Sequence, residues 1–324
     1  MDQANRRCAS VNGPTISRRA FVAGASAAAM AAAWPARATA QDAPIIDIHQ
    51  HVGYSGRPDD VLLAHQRAMG ITKTILLPAG RPATRPSTHD GTSNGLQAQA
   101  LGNDECYAFA QAHPGEFLFG ANEVPDVDGA LDEIRRQLSR GALLIAEQKF
   151  GLACDAPEMH AIYRLAEERQ VPVLMHWQYG RYNHGFERFG AVLKQYPRVT
   201  FIGHAQTWWA NVDLRHADQT VLYPKGAVTP GGLTDKYLAD YPNMFGDLSA
   251  GSGLNALTRD EAFTRGFLER HQDKLLYGSD CNDHVGSGAA CQGAQTIAAI
   301  RKLAPSKAVE RKLLHDNAKK MFRL

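Results

Sequence analysis

Short apolar runs alternate with amphipathic stretches from about residue 45 to the end of the chain. Eight of the runs have the length and the β-branched and aromatic content of buried strands. They cover residues 45–52, 71–77, 117–121, 143–145, 171–175, 199–203, 243–248 and 275–278. Between them, apolar positions recur at the spacing of helices. These helical segments cover residues 61–69, 105–112, 131–138, 159–168, 187–195 and 262–269.

This alternation predicts an α/β protein, specifically a (β/α)8 TIM barrel. Eight strands with intervening helices over roughly 280 residues suit that fold, for which ~250 residues is typical. A doubly wound open sheet has the same alternation and is the alternative. No repeat, linker or charge block divides residues 41–324, so we expect one domain there. Polar segments rich in Gly and Pro at 80–95 and 204–238 are predicted as long loops over a functional face.

The first forty residues have a different character. Arg18 and Arg19 precede a weakly apolar, Ala- and Gly-rich run at 20–33, and Ala38-Thr39-Ala40 offers small residues to a signal peptidase. We therefore expect a signal peptide over residues 1–40, export by the twin-arginine machinery, cleavage after Ala40 and a periplasmic location. The apolar run is too short and too rich in Ala and Gly for a stable membrane anchor.

Composition and charge narrow the choice of partner. The chain is 44% hydrophobic and 21% charged, which is typical of a globular protein, and its five cysteines are too sparse for a disulfide framework. Lysine and arginine number 35 against 33 acidic residues, and five of the arginines lie in the first forty residues. The remainder has no basic excess that would attract nucleic acid or anionic lipid. A small-molecule substrate is the expected partner.

Candidate catalytic residues follow the predicted strands. Asp47, His49 and His51 end the first strand, and an alternating strand would place all three on one face. The remaining candidates are His176 after the fifth strand, His204 after the sixth and Asp280 after the eighth.

The spacing of these residues fits one barrel mouth. His51 and His176 are 125 residues apart, or about 31 for each of four βα units, and ~30 is expected for one unit. His204 follows His176 after 28 residues, and Asp280 follows His204 after 76, which is two units plus the long loop. Active sites of this fold lie at that mouth. Three imidazoles and a carboxylate suit a zinc-like ion with a position left open for water.

The residues resemble the amidohydrolase superfamily, within it the branch of aminocarboxymuconate-semialdehyde decarboxylase, resorcylate-type decarboxylases and dicarboxylate lactonases. The resemblance spans nearly all of residues 41–324. It rests on Asp47-Ile48-His49-Gln50-His51, His176, His204, Tyr277-Gly278-Ser279-Asp280 and the closing segment 314–322. It implies one divalent ion, zinc or alternatively manganese, held by His49, His51, His176 and Asp280. It also implies that His204 is the acid/base or carbonyl-polarising group, and since relatives are often dimers, a homodimer is a further expectation.

The fourth strand leaves an alternative open. Binuclear members of the family place a carboxylated lysine there, and here Glu147 and Lys149 share one face, so either could contact a second metal or an anion. We expect Lys149 to pair with a carboxylate, and Asp47 to orient a ligand histidine. Histidines in helical patterns are predicted at the surface. They are His65, His113, His160, His271 and His315.

Aromatic and cationic residues after the fifth strand suggest the substrate class. Trp177, Tyr179 and Arg181 would offer flat surface beside a guanidinium that binds carboxylates, so an acid-bearing aromatic or unsaturated substrate is expected. Rival carboxylate binders are Arg57, Arg81 and Arg85. Trp208 and Trp209 either line the pocket or pack the long loop.

Three function classes fit this pattern. The first is a metal-dependent hydrolase of an ester, lactone or amide, in which Asp280 takes the proton of the attacking water and His204 polarises or protonates the substrate. The second is a metal-dependent decarboxylase or other lyase, and the third a non-catalytic binding protein.

Overall fold

Eight short parallel strands form the centre of the molecule. The structure is a computed structural model that describes residues 43–80, residue 95 and residues 100–324. The predicted export segment, Arg81 and Arg85 lie outside these residues. The strands are β1 Ile45–Gln50, β2 Ile71–Leu76, β3 Phe117–Phe119, β4 Ile145–Gln148, β5 Val173–His176, β6 Phe201–His204, β7 Met244–Asp247 and β8 Leu275–Leu276. Each predicted strand is present, with bounds that differ by one to a few residues.

Hydrogen bonds close the strands into a ring. Parallel pairing runs in order from β1 to β3 and from β4 to β8. The amide of Leu143 donates to the carbonyl of Phe119 (2.9 Å), which joins β3 to the start of β4. The amide of Ile48 donates to the carbonyl of Tyr277 (3.1 Å), which joins β1 to the end of β8. The (β/α)8 barrel predicted from the sequence is confirmed.

Helices surround the ring. They are α1 Asp59–Ala68, α2 Asn103–Ala112, α3 Ala130–Ser139, α4 Pro157–Arg169, α5 Phe189–Gln195, α6 Gln206–Ala210, α7 Leu233–Asp240, α8 Ala250–Thr258, α9 Glu261–Arg270, α10 Gln292–Leu303, α11 Lys307–Arg311 and α12 Asn317–Phe322, the last two joined by a π-helical turn at Lys312–Asp316. The segment 204–238 is therefore not one loop, because α6 and part of α7 lie within it. These short helices were not predicted because the segment has many polar residues and glycines and lacks a clear helical periodicity of apolar positions. No helix in the described part of the chain has the length and apolar character of a membrane span.

Two buried clusters divide the core. The larger one lies between strands and helices. The smaller one draws residues from six strands, so it fills the inside of the barrel below the strand ends. Its strand residues include Ile48, Ile75, Ala146, Leu174, Ile202 and Leu276.

Three histidines predicted at the surface are buried instead: His65, His271 and His315. Their helices pack against other elements, where each imidazole meets a polar partner. His271 Nε2 lies 2.6 Å from Asp235 Oδ1, and His315 Nδ1 lies 2.7 Å from Asp316 Oδ1. Helical periodicity predicts helices at these positions, but it does not reveal the polar partners that allow the histidines to be buried.

Candidate active site

The strand ends bring the predicted site residues into one buried cage. The cage is formed by His49, His51, Glu147, His176, His204 and Asp280. The first five are at most 3% exposed, whereas the side chain of Asp280 is 11% exposed. Asp280 therefore lies nearest to solvent.

The alternation of side chains along a regular strand does not explain how His49 and His51, at the end of β1, reach the cage. The pairing of β1 with β2 shifts register between Asp47 and Gln50. His49 and His51 turn into the cage, with ring centroids 5.2 Å apart. Asp47 instead accepts hydrogen bonds from the backbone amides of His49 (3.0 Å) and Ser279 (2.9 Å). It therefore ties β1 to the end of β8 and contacts the predicted ligand histidine His49 through the main chain.

Two carboxylates approach the pair of histidines at the end of β1. Glu147 Oε2 lies 3.7 Å from His49 Nε2 and 3.8 Å from His51 Nε2. On the other side, Asp280 Oδ1 lies 3.9 Å from His49 Nε2 and 3.5 Å from His51 Nε2. Imidazole nitrogens and carboxylate oxygens are the donors that zinc-like ions take.

Unsatisfied atoms show that these residues fit a cation. Among the described residues, His49 Nε2 and Asp280 Oδ1 are buried without a hydrogen-bond partner. Leaving a buried polar group unpaired costs about 1–3 kcal/mol. These two atoms lie 3.9 Å apart, and a divalent ion bound by both would satisfy them, so the residues present suit the metal that the sequence implied.

His176 and His204 lie on the other side of Glu147. His176 Nδ1 forms a direct hydrogen bond with Glu147 Oε1. Burial and the charge of Lys149 lower the pKa of His176 to about 4, so its imidazole is neutral. His204 Nε2 lies 3.7 Å from Glu147 Oε1 and 3.6 Å from Asp280 Oδ2. Glu147, which the sequence offered only as an alternative, thus lies between the two pairs of histidines.

Asp247 is the functional residue that sequence reasoning missed. His49 Nδ1 donates to Asp247 Oδ2 (2.7 Å), and His204 Nδ1 lies 3.2 Å from the same oxygen. Ser249 Oγ also donates to Asp247 Oδ2 (2.7 Å). A carboxylate on Nδ1 fixes the ring and leaves Nε2 aimed into the cage. The signal was available, since Asp247 ends a predicted strand just as His176, His204 and Asp280 do.

Charged neighbours shift the pKa values of several residues in and around the cage. Burial acts against the charged form of His49, but Asp280 and Asp247 outweigh it and raise the pKa of His49 well above its usual value. Burial also acts against ionised Glu147, yet Lys149 holds the pKa of that carboxyl well below its usual value. Despite its burial, Asp247 has a pKa of about 2, because two imidazoles donate to it. This field favours a proton or a cation among the histidines.

Gln178 and Tyr182 contact His176 and also line a neighbouring cleft, to which no residue of the cage contributes. Gln178 Oε1 lies 3.4 Å from His176 Nε2, and the Tyr182 ring meets the His176 ring edge-on. Both residues, together with Tyr179, line a cleft of about 510 Å³. Arg181 is exposed in the turn between Gln178 and Tyr182.

Other predicted pocket residues lie elsewhere. Trp177 is fully buried and packs edge-on against Phe186 and Phe189, so it is a core residue and the expectation that it contacts substrate does not fit its surroundings. Trp208 and Trp209 are also buried, which favours packing. Arg57 is 1% exposed, and it is not available to a substrate carboxylate because its guanidinium donates to the carbonyls of Cys281 and Asp283 and to Gln50.

Comparisons with known proteins identify the family of this chain and solved structures that share its fold. The profile of the family described as Amidohydrolase matches residues 46–231 and 232–324. An uncharacterised TIM-barrel protein from Bordetella bronchiseptica aligns with a TM-score of 0.59 and 15% identity, over 86% of this chain and 98% of that one. No curated protein matches the chain in sequence.

Two further solved structures share the fold. A probable 2-pyrone-4,6-dicarboxylic acid hydrolase from Acinetobacter baumannii aligns with a TM-score of 0.56 and 14% identity, over 86% of this chain and 99% of that one. A 2,6-dihydroxybenzoate decarboxylase from Rhizobium aligns with a TM-score of 0.54 and 16% identity, over 87% of this chain and 99% of that one. Because the family profile spans the barrel from β1 to the last helix, the chain belongs to the amidohydrolase family of enzymes.

Proposed function

We propose that the protein is a metal-dependent hydrolase that cleaves an ester, lactone or amide bond of a small, carboxylate-bearing substrate. The observation that carries this proposal is the buried cage itself, in which overlapping groups of three potential metal ligands draw on His49, His51, His176, His204, Glu147 and Asp280. One divalent cation, zinc or alternatively manganese, suits this donor set. Such a cation supplies Lewis-acid activation of a carbonyl group and makes water acidic enough to act at neutral pH.

Asp280 is placed to accept a proton from water. Its side chain is the most exposed of the six that form the cage, so water can approach it from the barrel mouth. Its Oδ2 lies 3.6 Å from His204 Nε2, so the two groups border the same space in the cage.

His204 is the group that polarises or protonates the substrate. Asp247 and Ser249 hold its Nδ1, at 3.2 and 3.0 Å, so its Nε2 faces the cage. A fixed donor aimed at the space beside the cation can stabilise negative charge that develops on a carbonyl oxygen.

Charged and aromatic residues near the ends of β4 and β5 support an acid-bearing substrate. Lys149 Nζ lies 5.7 Å from the centre of the Tyr182 ring, which places a positive charge next to flat aromatic surface. Tyr179 and Arg181 lie in the adjoining turn. Together they suit a flat carboxylate that enters from the β5 side.

The test is the metal content of protein purified without added metal, measured by elemental mass spectrometry. We expect the His49→Ala, His51→Ala double variant to hold one metal ion per chain fewer than wild type. It should also lose hydrolysis of a panel of carboxylate-bearing esters, lactones and amides. The matched control is the His113→Ala, His160→Ala variant, which should leave both properties intact because its half-buried histidines lie directly after α2 and in α4, outside the cage.

Other outcomes would change the proposal in defined ways. A loss of two ions would add a second ion shared by Glu147, His176 and His204. Release of carbon dioxide from unsaturated acids without any hydrolysis would replace the hydrolase by the decarboxylase alternative. Folded, active protein that contains no metal would contradict the proposal.

A further inference from the structure

A second group of metal-binding side chains lies outside the cage. His65 in α1, Cys281 after β8 and Cys291 at the N-terminus of α10 bring an imidazole nitrogen and two sulfurs together. All three residues are buried, with at most 5% exposure. Cys291 Sγ lies 3.7 Å from Cys281 Sγ and 3.5 Å from His65 Nε2.

The two separations measured from Cys291 Sγ match edges of a tetrahedral zinc site. Zinc binds sulfur at about 2.3 Å and histidine nitrogen at about 2.0–2.1 Å. Corners of a tetrahedron are about 1.6 bond lengths apart, which gives roughly 3.8 Å between two sulfurs and roughly 3.5 Å between sulfur and nitrogen for those bonds. A disulfide would need the sulfurs at about 2.05 Å. The spacing of Cys291 Sγ from its two neighbours is therefore compatible with a shared zinc ion.

Two further donors border the group. Met69 Sδ lies 3.6 Å from Cys291 Sγ, and Asp283 Oδ2 lies 3.8 Å from His65 Nε2. Asp283 Oδ2 already accepts the backbone amides of Val285 and Gly286, at 2.9 and 2.7 Å. Thiolate and thioether sulfurs select thiophilic ions over magnesium or calcium.

We propose that His65, Cys281 and Cys291 form a structural metal site that takes a thiophilic ion such as Zn²⁺. The site fastens α1 to both ends of the segment from Cys281 to Cys291. Cys281 directly follows Asp280, and its carbonyl accepts hydrogen bonds from Gln50 and Arg57, so the ion would brace the chain that carries Asp280. The site does not depend on the proposed function, because none of its ligands belongs to the cage. Its sulfur ligands also allow the two sites to be tested separately.

The test uses cobalt as a spectroscopic probe of the full-length protein. Cobalt(II) bound to thiolate absorbs in the near ultraviolet by sulfur-to-metal charge transfer, whereas the histidine and carboxylate ligands of the cage cannot produce that band. We expect the band in wild type and in the His49→Ala, His51→Ala variant, and its loss in Cys281→Ala and Cys291→Ala. Cys106→Ala and Cys154→Ala are matched controls, since both cysteines are buried elsewhere and the band should persist.

A measurement on wild type alone covers the case in which the cysteine variants fail to fold. Zinc-edge X-ray absorption of zinc-loaded protein should show sulfur in the first coordination shell. A shell of nitrogen and oxygen only would overturn the proposal. A Cys281–Cys291 disulfide in protein isolated without reductant, detected as a mass lower by two hydrogens, would overturn it as well.

Discussion

Asp247 contacts two histidines of the cage, His49 and His204, through its Oδ2 atom, although Asp247 is not itself part of the cage. Its carboxylate holds Nδ1 of His49 and of His204, which is the ring nitrogen on the side away from the cage. Outer carboxylates of this kind contribute a factor of about 10 to 100 in metal affinity or activity. Asp247 is therefore a positioning residue in this site.

We predict that Asp247→Asn weakens metal binding by about 10- to 100-fold. The amide cannot accept from His49 and His204 as the carboxylate does, so both rings lose their fixed orientation. Competition with a chelator measures the affinity. The matched control is Asp235→Asn, which alters a similar contact to His271 (2.6 Å) far from the cage and should leave metal affinity unchanged. Equal metal affinity in Asp247→Asn and wild type would show that Asp247 does not position the ligands.

The role of His204 can be separated from that of the metal ligands by substitution. We expect His204→Asn to keep most of the metal and to lose most of the turnover, because His49, His51, Glu147 and Asp280 remain. Metal content and turnover are measured on the same preparation. Loss of the metal together with activity would make His204 a ligand and would end its role as the acid/base group.

At the scale of elements, the end of β8 must pass very close to β1 and β7. A Cβ added at Gly278 would lie 2.7 Å from Asp247 Oδ1 and 2.8 Å from His49 Cβ. Only glycine lets the strand end approach the site so closely, and this approach brings Asp280 to the cage.

We predict that Gly278→Ala destabilises the fold by about 1–3 kcal/mol through overpacking and also weakens metal binding. The comparison variant is Gly266→Ala in α9, where the nearest atom to a new Cβ is the end of the Arg270 side chain at 3.4 Å. There alanine should stabilise the helix by up to about 1 kcal/mol. Denaturant unfolding of both variants measures the difference. An unchanged free energy of unfolding in Gly278→Ala would refute the packing argument.

At the scale of the whole molecule, export remains a prediction from the sequence. Replacement of Arg18 and Arg19 by lysine should retain the protein in the cytoplasm, because the paired arginines are the recognised feature of the twin-arginine route. Cell fractionation with an antibody against the barrel measures the distribution. A periplasmic product from the lysine variant would rule out that route. N-terminal sequencing of the exported wild type should begin at Gln41.

Several features of this protein followed from the sequence by itself. The barrel could be predicted because apolar runs and helical periodicity are local properties, and one βα unit recurs about every 30 residues. The same spacing placed His49, His51, His176, His204 and Asp280 at strand ends. Parallel strands of a barrel end at one mouth, so position in sequence was enough to predict that these side chains converge.

Only the tertiary structure decided which of those side chains share an ion and which residues support them. Glu147 could not be separated from Lys149 by alternation along β4, because the outcome depends on atoms that β1 and β5 present across the barrel. Trp177 looked like a pocket residue until packing against Phe186 and Phe189 placed it in the core. His65 and Cys291 are 226 positions apart in the chain, yet α1, α10 and the end of β8 bring them together. Contacts between distant segments depend on how elements pack, and no local pattern encodes that packing.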